Sequence, residues 1–284
     1  MNKAFICGVS KYDRADWSDL WGVDTDLEVW ASTLNRFFPD GELQITGVID
    51  RSCTRQAILD GLGWLADGSQ QGDWVYFVFG GHGAQFVSKN LDGTPRKLQE
   101  TLVPYDFSWE RLLSDEELGR QFASISTTGA TLTAIFDCCH AGGMDRAIPD
   151  PRYPVVVEYP REIPVPEEIA ALIAQMQADP HAAKSTFFSA LSPFSTTIYA
   201  CAADEKAWDT WANGEFRGVF SFAACQALEE DVADSEMLIS KARSTIFERG
   251  FKGAKSQNPS TNRRADIRPQ IEPLTSKVFL DVGE

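Results

Sequence analysis

The stretch TLTAIFDCCHAGG, residues 131–143, runs from an apolar block through a carboxylate into two cysteines, a histidine and two glycines. TLTAIFD is apolar almost without interruption, the pattern of a strand buried on both faces of a mostly parallel sheet. Runs of the same kind recur as KAFICGV at 3–9, LQITGVI at 43–49, WVYFVFG at 74–80 and TTIYACA at 196–202. Helical patterns lie between them at 24–37, 55–66, 115–122, 219–229 and 236–248. Strands alternating with helices predict an α/β fold, a three-layer α/β/α sandwich around a mostly parallel sheet.

Two segments break this rhythm. PDPRYPVVVEYPREIPVP, residues 149–166, is too rich in proline for an ordinary helix or a central strand and reads as an inserted linker, followed by a short helix EEIAALIAQMQA. The polar stretch 252–273 carries three X-Pro steps and reads as loop before a last short strand KVFL. One domain over 1–284 is therefore expected, with halves 1–148 and 195–284 joined by the linker 149–194.

A chain of 284 residues can bury a substantial core without disulfides, and its six cysteines are scattered, several inside apolar runs. Free thiols and a cytoplasmic location are expected. No run approaches the roughly 18 apolar residues of a membrane span, and the N-terminus is too weakly apolar for a signal peptide. With 26 Lys and Arg against 41 Asp and Glu, the formal charge of -15 repels nucleic acid; it either serves solubility alone or attracts cationic substrates.

The Cys138, Cys139 and His140 cluster could in principle hold a metal, a disulfide or a nucleophile. Zinc needs converging ligands, usually as spaced pairs, whereas consecutive residues on an extended backbone point to opposite faces. A vicinal disulfide is strained and would be reduced in such a compartment. A thiolate at the carboxyl end of a parallel strand instead lies where α/β folds bind ligands, beside a glycine turn whose N–H groups can face a carbonyl. His82, in VYFVFGGHGAQ, follows a second buried strand and is also flanked by glycines. This loop lacks the Lys and Ser/Thr of a phosphate-cradling P-loop. Two strand ends therefore present a histidine and a cysteine to one edge of the sheet, the arrangement that activates a thiol.

On these two motifs the sequence resembles the caspase and metacaspase clan of cysteine peptidases, nearer to metacaspases and bacterial caspase-like proteins (orthocaspases). In caspases the histidine lies about 50 residues before the cysteine, and His82 precedes DCCHAGG by a similar interval. AFICGVSKYD, LWGVDTDLEVWASTL, TLVPYDF, CAADEKAWD and GVFSFAACQAL resemble further family segments in the right order. The resemblance implies a caspase-like sandwich around a six-stranded sheet.

It also implies Cys139 as nucleophile, with Cys138 where serine is usual, and His82 as its proton partner. No third orienting residue is evident. Backbone N–H groups of Gly83 and Cys139 are implied as oxyanion donors. Asp26 and Asp137 match acidic pocket positions that bind arginine or lysine before the cut, a task suited to charge-assisted hydrogen bonds. Gly80 and Val23 depart from the usual serine and cysteine. His140 is expected only to pack.

No cofactor is expected. Of the family's calcium positions Asp115 and Glu116 match, but Gln99 and Arg146 replace acids. Protein substrates with exposed Arg or Lys sites are the expected partners. Processing in the linker, by the chain itself or an upstream protease, is expected at Arg146, Arg152, Arg161 or Lys184. A non-catalytic caspase-like adaptor and a separase- or gingipain-like peptidase stand as alternatives.

Overall fold

In chain order the elements are β1 (Asn2–Gly8), α1 (Val23–Asn35), β2 (Leu43–Ile49), α2 (Arg55–Ala66), β3 (Trp74–Gly80), β4 (Gly83–Lys89), β5 (Pro95–Leu102) and β6 (Leu113–Ser114). There follow α3 (Asp115–Thr127), β7 (Thr131–Asp137), β8 (Tyr159–Pro160), α4 (Glu167–Ala178), β9 (Ser195–Tyr199), β10 (Trp208–Ala212), β11 (Glu215–Gly218), α5 (Val219–Leu228), α6 (Ser235–Arg249) and β12 (Ser260–Thr261). This computed structural model describes residues 1–15, 17–139, 159–179, 195–202, 205–230, 232–251 and 257–269.

Among the described residues the central sheet has six strands in the order β12-β9-β7-β3-β1-β2, all parallel except β12. The alternation of a strand, with a period of two residues, sorts its apolar side chains between two faces. Ala4 and Ile6 of β1, Tyr76 and Val78 of β3 and Ile135 of β7 pack on one face with Leu27, Trp30, Phe220 and Ile239 from α1, α5 and α6. Phe5, Phe77, Phe79, Leu132 and Phe136 pack on the other with Ile58, Leu62, Leu118 and Phe122 from α2 and α3. Both faces are covered, so the strands read as continuous apolar runs and the fold has three layers.

Helix starts follow side-chain capping. Thr54 accepts from the Ala57 N–H ahead of α2, Ser114 from Glu117 ahead of α3, and Asp234 from Met237 ahead of α6. The α3 pattern runs past 122 because Leu118, Phe122 and Ile125 continue one buried stripe. Helix α1 has two acids in its first turn, and Asp26 among them is buried.

Two hairpins were not expected. Strands β4 and β5 pair antiparallel after the histidine loop, and β10 and β11 pair across Asn213-Gly214, with φ of 52° and 93°. That Asn-Gly turn is a hairpin signal readable in the sequence. Helix α4 forms as expected and lays Ile173 and Met176 on Val87 and Leu98 of the first hairpin. The proline-rich stretch is not simply a solvent-borne linker: β8 is an edge strand on β10, where Pro160 is tolerated, and Arg161 beyond it is fully buried. The KVFL strand at 277–280 lies outside the described residues. All six cysteines are free and buried. Among the described residues no helix is long and apolar enough to cross a membrane.

Candidate active site

Strands β3 and β7 pair in parallel with Gly80 opposite Asp137. His82 and Cys139 each stand two residues beyond that pair, so equal offsets from one register bring them to the same edge. Alternation also separates the two cysteines: Cys138 packs with the α2 and α3 face, Cys139 with the α1 and α5 face.

The His82 imidazole is fixed on one side only. Its Nε2 lies 2.8 Å from the Ser18 carbonyl, and since a carbonyl only accepts, Nε2 carries the proton. The backbone N–H of His82 donates to the Tyr12 hydroxyl at 3.1 Å, and the two rings stand 4.9 Å apart. Nδ1 is left buried without a hydrogen bond. Burial lowers the pKa of the imidazole to about 4, partly opposed by the Ser18 and Arg161 carbonyls. A main-chain carbonyl thus holds the ring, a contact that leaves no side-chain signature in the sequence.

The Cys139 thiol rests beside Ala207, accepting from its N–H at 3.1 Å and donating to its carbonyl at 3.4 Å. Burial raises its pKa strongly and the Glu162 carboxylate adds to this, so the thiol is protonated. No direct hydrogen bond joins it to His82.

The chain's own residues 159–163 fill the space between these groups. The Arg161 N–H donates to the same Ala207 carbonyl at 2.9 Å. The Arg161 carbonyl accepts from the N–H of Gly83 at 3.1 Å and of Cys139 at 3.2 Å. A side chain at Gly83 is excluded, because a Cβ there would stand 1.9 Å from the Cys139 carbonyl oxygen. Upstream, Pro160 pairs with Trp208; downstream, Glu162 bridges Gly83 and Ile163 is buried in the α2 and α3 core. An extended peptide thus crosses the carboxyl edge of the sheet as an added strand, held by main-chain bonds on both sides of one residue.

The side chain of that residue enters an acidic pocket. Arg161 Nε donates to Asp209 at 2.7 Å, Nη2 to Asp26 at 2.7 Å, and Nη1 to the Asp137 main-chain carbonyl at 2.8 Å, with the Asp137 carboxylate 3.2 Å away. Each acid is held in turn. Asp26 accepts from Gly218 N–H and Arg217 Nε, Asp137 from the Ser221 N–H and hydroxyl, and Asp209 from Gly22 N–H. Gly80 lines the wall, its missing Cβ 3.8 Å from Nη1 and 3.4 Å from Val23.

Three buried carboxylates therefore face two guanidiniums. Burial pushes Asp26 up to about 7, against the pull of Arg161 and Arg217, and raises Asp137 as well. The three acids outweigh the effect of burial on Arg161 and hold its guanidinium charged.

The sequence reading missed Asp209, Arg217 and Ser221. Asp209 did leave a signal, an acid inside the strand WDTW, since a charge in a buried strand requires a partner. Arg161 was expected as an exposed processing site, yet three acids and two main-chain N–H groups hold it fully buried. Arg146, Arg152, Lys184 and His140 lie outside the described residues. Asp115 is buried at the start of α3, and Glu116 stands 3.8 Å from Arg96 and 3.9 Å from Lys97. Gln99 is buried in β5, and among the described residues no cluster of three His, Cys, Asp or Glu could hold a metal.

Comparison with known proteins gives this site a lineage. The crystal structure of protein GSU0716 from Geobacter sulfurreducens superposes with a TM-score of 0.61 at 17% identity, covering 93% of this chain and 94% of that one, a likeness of fold. Metacaspase-3 of Trypanosoma cruzi is 30% identical over 150 residues, 50% of this chain and 40% of that protein. Metacaspase-1 of Mycosarcoma maydis is 36% identical over 145 residues, covering 49% and 35%. Metacaspase-1 of Schizosaccharomyces pombe is 37% identical over 91 residues, covering 32% and 21%. The chain thus spans well under two thirds of the length of these relatives. The metacaspase, peptidase C14 domain family matches residues 2–146, half of the chain and the whole stretch from β1 past both His82 and Cys139; this chain is a member of that family.

Proposed function

We propose that the chain is a cysteine endopeptidase that cuts after arginine, and less readily after lysine, and that the Arg161–Glu162 bond is its first substrate. One observation carries the reading. Arg161 places its guanidinium among Asp26, Asp137 and Asp209 while its carbonyl accepts from the N–H groups of Gly83 and Cys139. Those donors are already aimed at the oxygen on which charge would develop.

Rotation of the Cys139 side chain carries its sulfur from Ala207 toward the Arg161 carbonyl carbon. The thiol proton passes to Nδ1 of His82, the ring atom that the Ser18 contact leaves unprotonated. The S–C bond forms, and the oxyanion is held by Gly83 and Cys139 N–H. The C–N bond then breaks as the imidazolium returns the proton to the Glu162 amine. Water, deprotonated by His82, hydrolyses the thioester and restores the thiol. The pocket suits arginine because its donors match acceptors on three sides, whereas a lysine ammonium is a single point charge. An acidic side chain would meet three carboxylates. The reading assigns the enzyme protein substrates. It gives calcium no role, since Arg96 and Lys97 beside Glu116 oppose a cation there.

The test is intact mass spectrometry of the purified full chain, followed by assay with a peptidyl-arginine fluorogenic amide. The parent and Cys138→Ser should be cut at Arg161 and hydrolyse the amide, and Cys139→Ala should do neither. Equal activity in Cys139→Ala, or faster cleavage of an aspartyl amide, would reject the assignment.

A further inference from the structure

Past the Arg161 carbonyl, the bound segment is held as specifically as before it. The Glu162 carboxylate lies 2.7 Å from the Lys206 ammonium, their side chains 9% and 21% exposed. Lys206 precedes Ala207, whose carbonyl holds the Arg161 N–H, so the residue that fixes the peptide's position before the cut also places the ammonium after it. On the other side Glu162 bridges Gly83, and Ile163 is buried in the core of the α2 and α3 face. Peptide register at this position is thus set from three directions, and the side chain has little freedom to avoid Lys206. A charge pair this shielded discriminates more strongly than one in open solvent.

We propose that Lys206 is a specificity-determining residue that selects an acidic residue immediately after the cut, so that preferred substrates carry arginine followed by glutamate or aspartate. This rests on the reading of Arg161–Glu162 as a bound substrate. It adds a demand on the leaving side that the acidic pocket does not impose, and the two requirements together narrow cleavage to sites of alternating charge. A basic residue in the same place would bring two cations together in a largely desolvated space.

The experiment uses the processed full chain and two internally quenched peptides, identical except for Arg-Glu-Ile or Arg-Lys-Ile at the cut. The readout is the ratio of their kcat/KM values on one enzyme preparation, so any loss of active enzyme cancels. The parent should prefer the glutamyl peptide by about tenfold or more, Lys206→Arg should keep that preference, and Lys206→Glu should reverse it. A parent ratio within twofold of unity, or a Lys206→Glu ratio equal to the parent's, would overturn the proposal. The parent is also assayed on a peptidyl-arginine amide, which has no residue after the cut. Failure to cleave it would instead sink the reading of the site, and this proposal with it.

Discussion

Asp209 is the sharpest place to test the pocket, because the sequence reading did not choose it and the structure gives it the closest contacts. One oxygen lies 2.7 Å from Arg161 Nε and 2.6 Å from Nη2, and neither side chain is exposed. At 2.6 Å and an effective dielectric near 20, a unit pair is worth about 6 kcal/mol before any desolvation is counted. Removing one partner of such a pair typically costs about 3–5 kcal/mol, and Asp26 and Asp137 remain to hold the guanidinium. Asp209→Asn keeps the shape and an oxygen for the Gly22 N–H, so the change is one of charge. At about 1.4 kcal/mol per factor of ten, kcat/KM for a peptidyl-arginine amide should fall by about 10²–10⁴ in the processed enzyme. The lysyl amide should lose less, having no Nε–H to place on Asp209. Thermal unfolding of both proteins in the Cys139→Ala background checks that the fold persists. An arginyl kcat/KM within threefold of the parent, with an intact fold, would refute the assignment of this pocket to arginine.

The remaining predictions concern the histidine and the pocket wall. Folded His82 titrates at about 4 against an ordinary 6.5, so the native chain binds fewer protons than the unfolded one between those values and loses stability as pH falls through that window. In the Cys139→Ala chain, urea unfolding at pH 7 and pH 5 should show an acid loss about 2 kcal/mol larger with His82 than with His82→Gln; equal losses would mean the imidazole is not buried as described. At Gly218 an added Cβ would stand 2.4 Å from Arg161 Nη2 and 2.6 Å from oxygens of Asp26 and Asp137. Gly218→Ala should therefore leave the chain uncut at Arg161 by intact mass and inactive on arginyl amides. Normal processing of that variant would show that the guanidinium does not enter there.

The sequence by itself determined the sandwich, because strands buried on both faces must be apolar throughout, and such runs at 74–80 and 131–137 coincide with the buried strands β3 and β7, while the run at 43–49 forms β2, an edge strand that is mostly exposed. It also marked His82 and Cys139, since each follows a strand of that kind and is set off by glycines or a carboxylate. Which cysteine faces which layer follows from the alternation of β7 and needs only the strand's register. Ser18, Ala207, Asp209 and Arg217 were another matter. Their parts in the site are played by main-chain atoms, or by charges whose partners lie far off along the chain, as Arg217 and Asp26 do across α1 and β11. No local pattern encodes a pairing between distant segments. Only the tertiary structure decided that residues 159–163 lie in the cleft, where Arg161 neutralises acids that the sheet and α1 had brought together.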